Sequence, residues 1–136
     1  GDVERASRLA LDEGVYYAHF LILGGYGDTR ENVRETIENS RRMEYTVMFP
    51  YAGMRIYPHT RLAELAAKEG AIGRDDDLMA PSYYISRDFD LEEVRRAALA
   101  TGKAWVFPDD PQSALADTLR LKRNKKGPLW EYLRKP

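Results

Sequence analysis

The chain has 136 residues, with 21 Lys and Arg against 22 Asp and Glu and no cysteine. That length suits one ordinary domain, and 43% hydrophobic with 32% charged residues suits a packed core rather than a disordered chain. A net charge of -1 supplies no global field for nucleic acid or an anionic membrane, and without cysteine the chain alone can build no disulfide, thiolate nucleophile or cysteine-held cluster.

The predicted elements follow in chain order. Residues 2–13 suit a helix, with Asp2 as cap, Val3, Ala6, Leu9 and Ala10 as an apolar stripe and Gly14 as stop. Residues 15–23, V-Y-Y-A-H-F-L-I-L, read as a strand covered on both faces, as in parallel sheets. Three glycines follow within four positions, in G-G-Y-G-D-T. A helix over 30–43 comes next, capped by Asp28 or Thr29, with Asp28 and Glu31 spaced as a capping box. Residues 44–49 read as a second strand, so the order is that of a βαβ unit, with a parallel pair and a right-handed crossover.

Residues 51–60 read as a loop, and Thr60 caps a short helix that Gly70 ends, with Leu62, Leu65 and Ala66 inward. The 71–89 stretch has little period; the residues after Asp75, Asp76 and Asp77 form a loop or a short edge strand. Asp90 and Glu93 open a helix to about Thr101, which Gly102 closes. Pro111 sits at the favoured first position of a further helix whose apolar side is Ala114, Leu115 and Leu119, and residues 129–133 allow one last short helix.

A strand, a glycine turn and a helix start make a platform for an anion or cofactor, because bare backbone admits close approach and helix N–H groups favour acceptor atoms. G-G-Y-G-D-T is neither G-x-G-x-x-G nor a P-loop, so a plain strand–helix connection competes equally on local sequence. The wider context adds to this. I-L-G-G-Y-G-D-T before R-E-N-V-R-E-T-I resembles the fifth-strand segment of radical S-adenosylmethionine enzymes, where Ile-x-Gly-x-x-Gly-Glu-Thr precedes a charged helix. M-R-I-Y-P-H-T-R-L-A-E-L-A-A-K-E-G is similar to that superfamily's R-I-Y-P-G-T-x-L-A-x-x-A-x-x-E-G. D-D-D-L-M-A-P-S-Y-Y-I-S resembles the tail of members with a cobalamin-binding domain, so the ordered likeness runs from about Phe20 to Ser86.

The resemblance implies an α/β fold: the C-terminal portion of a partial (β/α)6 TIM-like barrel with parallel strands, followed by trailing helices. Residues 1–70 would be the barrel segment and 71–136 a helical extension. It implies S-adenosylmethionine at the C-terminal ends of the strands, with Ile22 against the adenine and Gly24, Gly25 and Gly27 letting backbone pass close to it. Asp28 stands where Glu is usual and would hold the turn, while Tyr26 stands where proline is common. Met48, Phe49, Pro50 and Tyr51 would line the same pocket. The family reduces the bound sulfonium with a [4Fe–4S] cluster on C-x-x-x-C-x-x-C, releasing a 5′-deoxyadenosyl radical. This chain has no such cysteines, and its first residue is Gly1, so it is expected to be a C-terminal fragment, inactive alone, that pairs with the remainder of its own barrel. Cobalamin would be a further cofactor of the parent. The substrate is unspecified.

Other features favour structural roles. The 120–126 run R-L-K-R-N-K-K lacks interleaved aromatics and reads as a solvated helix end rather than a nucleic-acid site. The aspartate triplet lacks calcium-loop spacing, and His19 and His59 read as a core residue and a loop residue, not metal ligands. Of the pairs Tyr16-Tyr17 and Tyr83-Tyr84, strand alternation puts one of each in the core. No membrane segment or signal peptide is present, and the expected compartment is the cytoplasm. Two other readings stay open: a non-catalytic interaction or scaffold module, and a small nucleotide-binding α/β domain. The unpaired strand 15–23 and an open apolar inner face would also drive the isolated chain to self-associate as a homo-oligomer.

Overall fold

A computed structural model describes residues 1–73, 76–108 and 127–136. Helix α1 spans Asp2–Asp12, strand β1 His19–Leu23, helix α2 Arg30–Asn39 and strand β2 Val47–Ala52. Strand β3 (Met54–Ile56), helix α3 (Arg61–Glu69), strand β4 (Ser82–Tyr84), helix α4 (Leu91–Ala100) and strand β5 (Ala104–Trp105) follow. The predicted helix carrying Ala114, Leu115 and Leu119, the basic run 120–126, and Asp75 lie outside the described residues.

Two sheets form. β1, β2 and β5 make a parallel sheet in sequential order, and β3 and β4 make an antiparallel pair beside it. β1 runs in register with β2 from His19 opposite Met48 to Leu23 opposite Ala52. Pro50 has no N–H to donate, and β5 meets β2 only at Val47 and Met48, so the proline sits past that ladder. β1 therefore begins at His19, later than residue 15, because pairing with β2 starts there. Upstream, Tyr17 is tied by side chain and carbonyl to the segment before β2: its hydroxyl donates to the Glu44 carbonyl at 2.6 Å, and the Thr46 hydroxyl donates to the Tyr17 carbonyl at 3.1 Å.

The helices gather on one side of the parallel sheet. Leu23, Val33, Ile37, Met48, Val94, Ala98, Trp105 and Phe107 form one core between the sheet and α2 with α4. Each fully buried side chain of this kind is worth about 1.5–3 kcal/mol. A second core, of Ile56, Ala66, Leu78 and Tyr84, holds α3 to the β3–β4 pair. Arg30 and Arg34 on α2 both pair with Glu93 on α4, the latter at 2.9 Å, and link the two helices at their exposed edge.

The strand over 15–23 was expected to be covered on both faces, and it is not. Phe20 is 69% and Ile22 60% exposed, while Leu21 and Leu23 turn to the helices. The region 71–136 was expected to be a helical extension, yet it supplies β4 and β5, and β5 completes the parallel sheet. No closed barrel forms: the described strands make one open three-stranded parallel sheet and one two-stranded pair. The apolar stripe expected on α1 is also largely bare, with Val3 and Leu9 more than half exposed and Ser7 the buried residue of that helix. α1 starts from Gly1 with no side-chain cap, where Asp2 was expected to serve.

Candidate functional site: the glycine turn and the bare sheet face

The turn follows β1 at the C-terminal edge of the sheet, where ligands of open α/β sheets bind. Gly24 and Gly27 have φ of +75° and +85°, a region L side chains avoid. The turn is closed by Asp28: its carboxylate accepts from the Gly25 N–H at 3.0 Å, and its own N–H donates to the Gly25 carbonyl at 3.1 Å. Asp28 thus holds the turn, as the resemblance implied. Of the two caps expected, Thr29 serves, and it forms its capping box with Asn32 rather than through the Asp28–Glu31 pair.

The chain's own residues fill much of the space the glycines leave. A Cβ on Gly24 would lie 2.5 Å from the Phe89 ring, and one on Gly25 2.8 Å from the Met54 sulfur. A Cβ on Gly27 would meet nothing within 4 Å. The segment after β4 clamps the turn further: the Ser86 N–H donates to the Gly24 carbonyl at 2.8 Å and its hydroxyl to the Asp28 carbonyl at 3.1 Å. The Gly53 N–H donates to the Leu23 carbonyl at 2.7 Å and ties the end of β2 to the end of β1.

Beside the turn lies the uncovered sheet face. Phe20 stacks on Phe49 at 5.2 Å and on Tyr51 at 6.4 Å between ring centroids, in nearly parallel planes. Register sets Ile22 opposite Tyr51, so Phe20, Ile22, Phe49 and Tyr51 form one apolar, aromatic surface. Tyr26 stands exposed at the tip of the turn, edge-on to Tyr84 at 5.7 Å. The Tyr84 hydroxyl donates to Glu69 at 2.8 Å, and that bond, with burial and the negative charge of Glu69, raises its pKa above the ordinary tyrosine value.

Of the residues expected to form one pocket, Ile22, Phe49 and Tyr51 share this face, while Tyr26 and Gly27 lie in the turn that follows β1. Gly24 and Gly25 are sealed by Phe89 and Met54. Met48 is 2% exposed and points to the opposite, helix-covered side, because it is one residue out of phase with Phe49. Sequence reasoning misses Phe89 and Ser86, since nothing local in D-F-D or I-S-R signals a contact more than 55 residues back. Phe20 is legible, since alternation puts it in phase with Ile22.

The remaining candidates take structural roles. Asp76 and Asp77 accept from the N–H groups of Leu78 and Met79, each two residues on, and shape that loop. His19 is half-buried, with Nε2 3.2 Å from the Ser7 hydroxyl, as expected of a core histidine. His59 has φ of +61°, at the position where the resembling motif has glycine. Tyr84 is buried and Tyr83 exposed, as alternation requires, whereas Tyr16 lies outside the strand under the Arg134 guanidinium, 3.8 Å from its ring centroid. Among the described residues no group of three or more His, Asp or Glu side chains is placed to hold a metal ion, and no helix is long and apolar enough to cross a membrane. No family model matches the chain, and no curated protein or solved structure matches it.

Proposed function

We propose that this chain is the C-terminal portion of a radical S-adenosylmethionine barrel, supplying part of the pocket for the adenosyl moiety, and that the enzyme so formed cleaves S-adenosylmethionine reductively for radical chemistry on a further substrate. The observation that carries the reading is the bare aromatic face of Phe20, Ile22, Phe49 and Tyr51 on a sheet whose strands run parallel in sequential order with the core-forming helices on the other side. Sequential parallel strands with helices outside are how a barrel wall is built, and the inner face of a wall is apolar. A group of parallel stacked rings, with Phe20 and Tyr51 exposed, suits a flat heterocycle such as adenine. Two details agree with the motif resemblance: Asp28 closes the turn from the usual Glu position, and His59 takes the left-handed backbone that explains a glycine there.

The residues of this chain would bind and orient. Tyr51 and Phe49 would stack the ring, Ile22 would pack beside it, and Gly27 offers the open approach to backbone. The cluster would supply the electron for cleavage, and this chain supplies none of its cysteine ligands. Cobalamin stays a proposal for the parent alone.

A non-catalytic module is a second reading, favoured by the packing of Phe89 and Met54 against Gly24 and Gly25, which accounts for two glycines without a ligand. A small nucleotide-binding α/β domain is disfavoured, because the order of the described parallel strands, β1-β2-β5, does not reverse and so has no switch-point crevice. The deciding experiment is to sequence the reading frame upstream and express the joined protein. A C-x-x-x-C-x-x-C motif there, with cluster uptake and cleavage of S-adenosylmethionine by the joined protein but not by this chain alone, is the expected result. An upstream frame without cysteines, or cluster binding by this chain alone, would overturn it.

A further inference from the structure

A cavity of about 340 Å³ lies on the other side of the sheet, between the first turn of α1, the start of β1 and the end of α2. That volume is at the lower end of the range for small-molecule sites. Its apolar lining is Val3, Leu21, Met43 and Met48, and methionine thioethers adapt to irregular ligands. Its polar lining includes His19, Asn39 and Arg42. We propose that this cavity binds a small apolar carboxylate, with the Arg42 guanidinium as the anion's partner.

The charges around the rim carry the argument. Asp2 is paired with Arg5 at 3.0 Å, and Glu4 with both Arg8 at 3.4 Å and the Gly1 ammonium at 3.5 Å, so both acids on the α1 side already have cation partners. Arg41, the neighbour of Arg42, is held by Glu38 at 2.8 Å. Arg42 makes no ion pair among the described residues, and the Asn39 amide makes no side-chain hydrogen bond among them. Arg42 is therefore the one cationic side chain of the lining, without an acidic partner among the described residues, and stands with a free amide over an apolar floor. A guanidinium takes a carboxylate by two parallel N–H···O bonds, and an amide NH2 can add a third. His19 contributes a wall, with its Nε2 engaged by Ser7.

A competing account exists for Arg42: it follows the end of α2, where a cation complements the helix dipole. That account makes Arg42 a stabilising residue with no ligand, and the two accounts separate experimentally. The site is remote from the aromatic face on the opposite side of the sheet, so the result does not depend on the adenosyl reading.

The test is an amide chemical-shift titration of the whole chain with hexanoate and, as the uncharged match, hexan-1-ol. Expected are saturable shifts at His19, Asn39, Arg42 and Met43 with hexanoate, and binding of hexan-1-ol weaker by about fivefold or more. Arg42 is exposed, so Arg42→Gln should keep the spectrum of the folded chain and weaken hexanoate by about tenfold, to the level of the alcohol, without changing the alcohol itself. Asn39→Ala should weaken hexanoate by a smaller factor. No saturable shifts at these four residues, equal binding of acid and alcohol, or unchanged hexanoate affinity in Arg42→Gln would overturn the proposal.

Discussion

A methyl group at Gly24 has no room. Its Cβ would sit 2.5 Å from the Phe89 ring, on a backbone with φ of +75°. Gly27 has a similar φ but open space around its Cβ direction. Gly27→Ala should therefore cost only the left-handed backbone penalty, about 1–2 kcal/mol. Gly24→Ala should cost that plus displacement of the ring, about 2–4 kcal/mol in all. Urea denaturation of both variants checks this; equal losses would mean the ring yields freely. At the same scale, burial holds the His19 pKa below its ordinary value. Protonation then favours the unfolded chain, so stability is highest above the unfolded pKa of about 6.5 and falls as pH drops below it toward the folded value. Glu93, whose pKa is lowered by hydrogen bonds from Arg34 and then Arg30, loses its contribution in a separate window, below 4.5. Denaturation at pH 7.5 and 5.5 should show the decline, and His19→Gln should flatten it; an unchanged slope in that variant would assign the decline elsewhere.

At the scale of elements, the helices carry their own limits. Thr60 accepts from the Ala63 N–H and Gly70 closes α3 at φ of +76°. The Asp90 carboxylate accepts from the N–H groups of both Glu92 and Glu93 at the start of α4. Such caps are local, so a reader of the sequence can place them. Asp90→Ala should lower stability by about 1 kcal/mol, read by the shift of the denaturation midpoint, whereas Asp90→Asn should retain most of it. Strands are different. β3 and β5 have three and two residues, too few for a period, and each exists because a distant partner supplies its ladder. β2 begins at Val47, three residues past the predicted start, where its pairing with Ala104 of β5 begins, and it ends at Ala52 with its pairing to β1.

Over the whole molecule, the unbalanced feature is the sheet face that no described helix covers. α4 does not cover it, because Val94 and Ala98 pack with α2 on the other side. The C-terminal segment joins the start of β2, where Thr46 bridges Lys135, and touches Tyr16 and Lys103. Phe20, Ile22 and Tyr51 remain open to solvent, and β1 is the edge strand next to them. Apolar patches beside a bare edge promote association. The weight-average sedimentation coefficient of the isolated chain should therefore rise with concentration, and Phe20→Lys with Ile22→Glu should return it toward the monomer value. A monomer at every concentration would count against an exposed face of this kind.

The apolar run H-F-L-I-L, the caps of α2, α3 and α4 and the glycines that end helices are short-range chemistry, and the βαβ order follows from them alone. Asp28 as the clasp of the turn is equally legible, because its partner is three residues away. Tertiary structure alone decided which side of the sheet the helices take, and so which of Met48 and Phe49 is core and which is surface. It also decided what lies over the glycines: the segment after β4 folds back so that Phe89 and Ser86 reach the turn. A glycine records only that something needs room or a left-handed backbone, and the identity of the neighbour is a property of the folded chain.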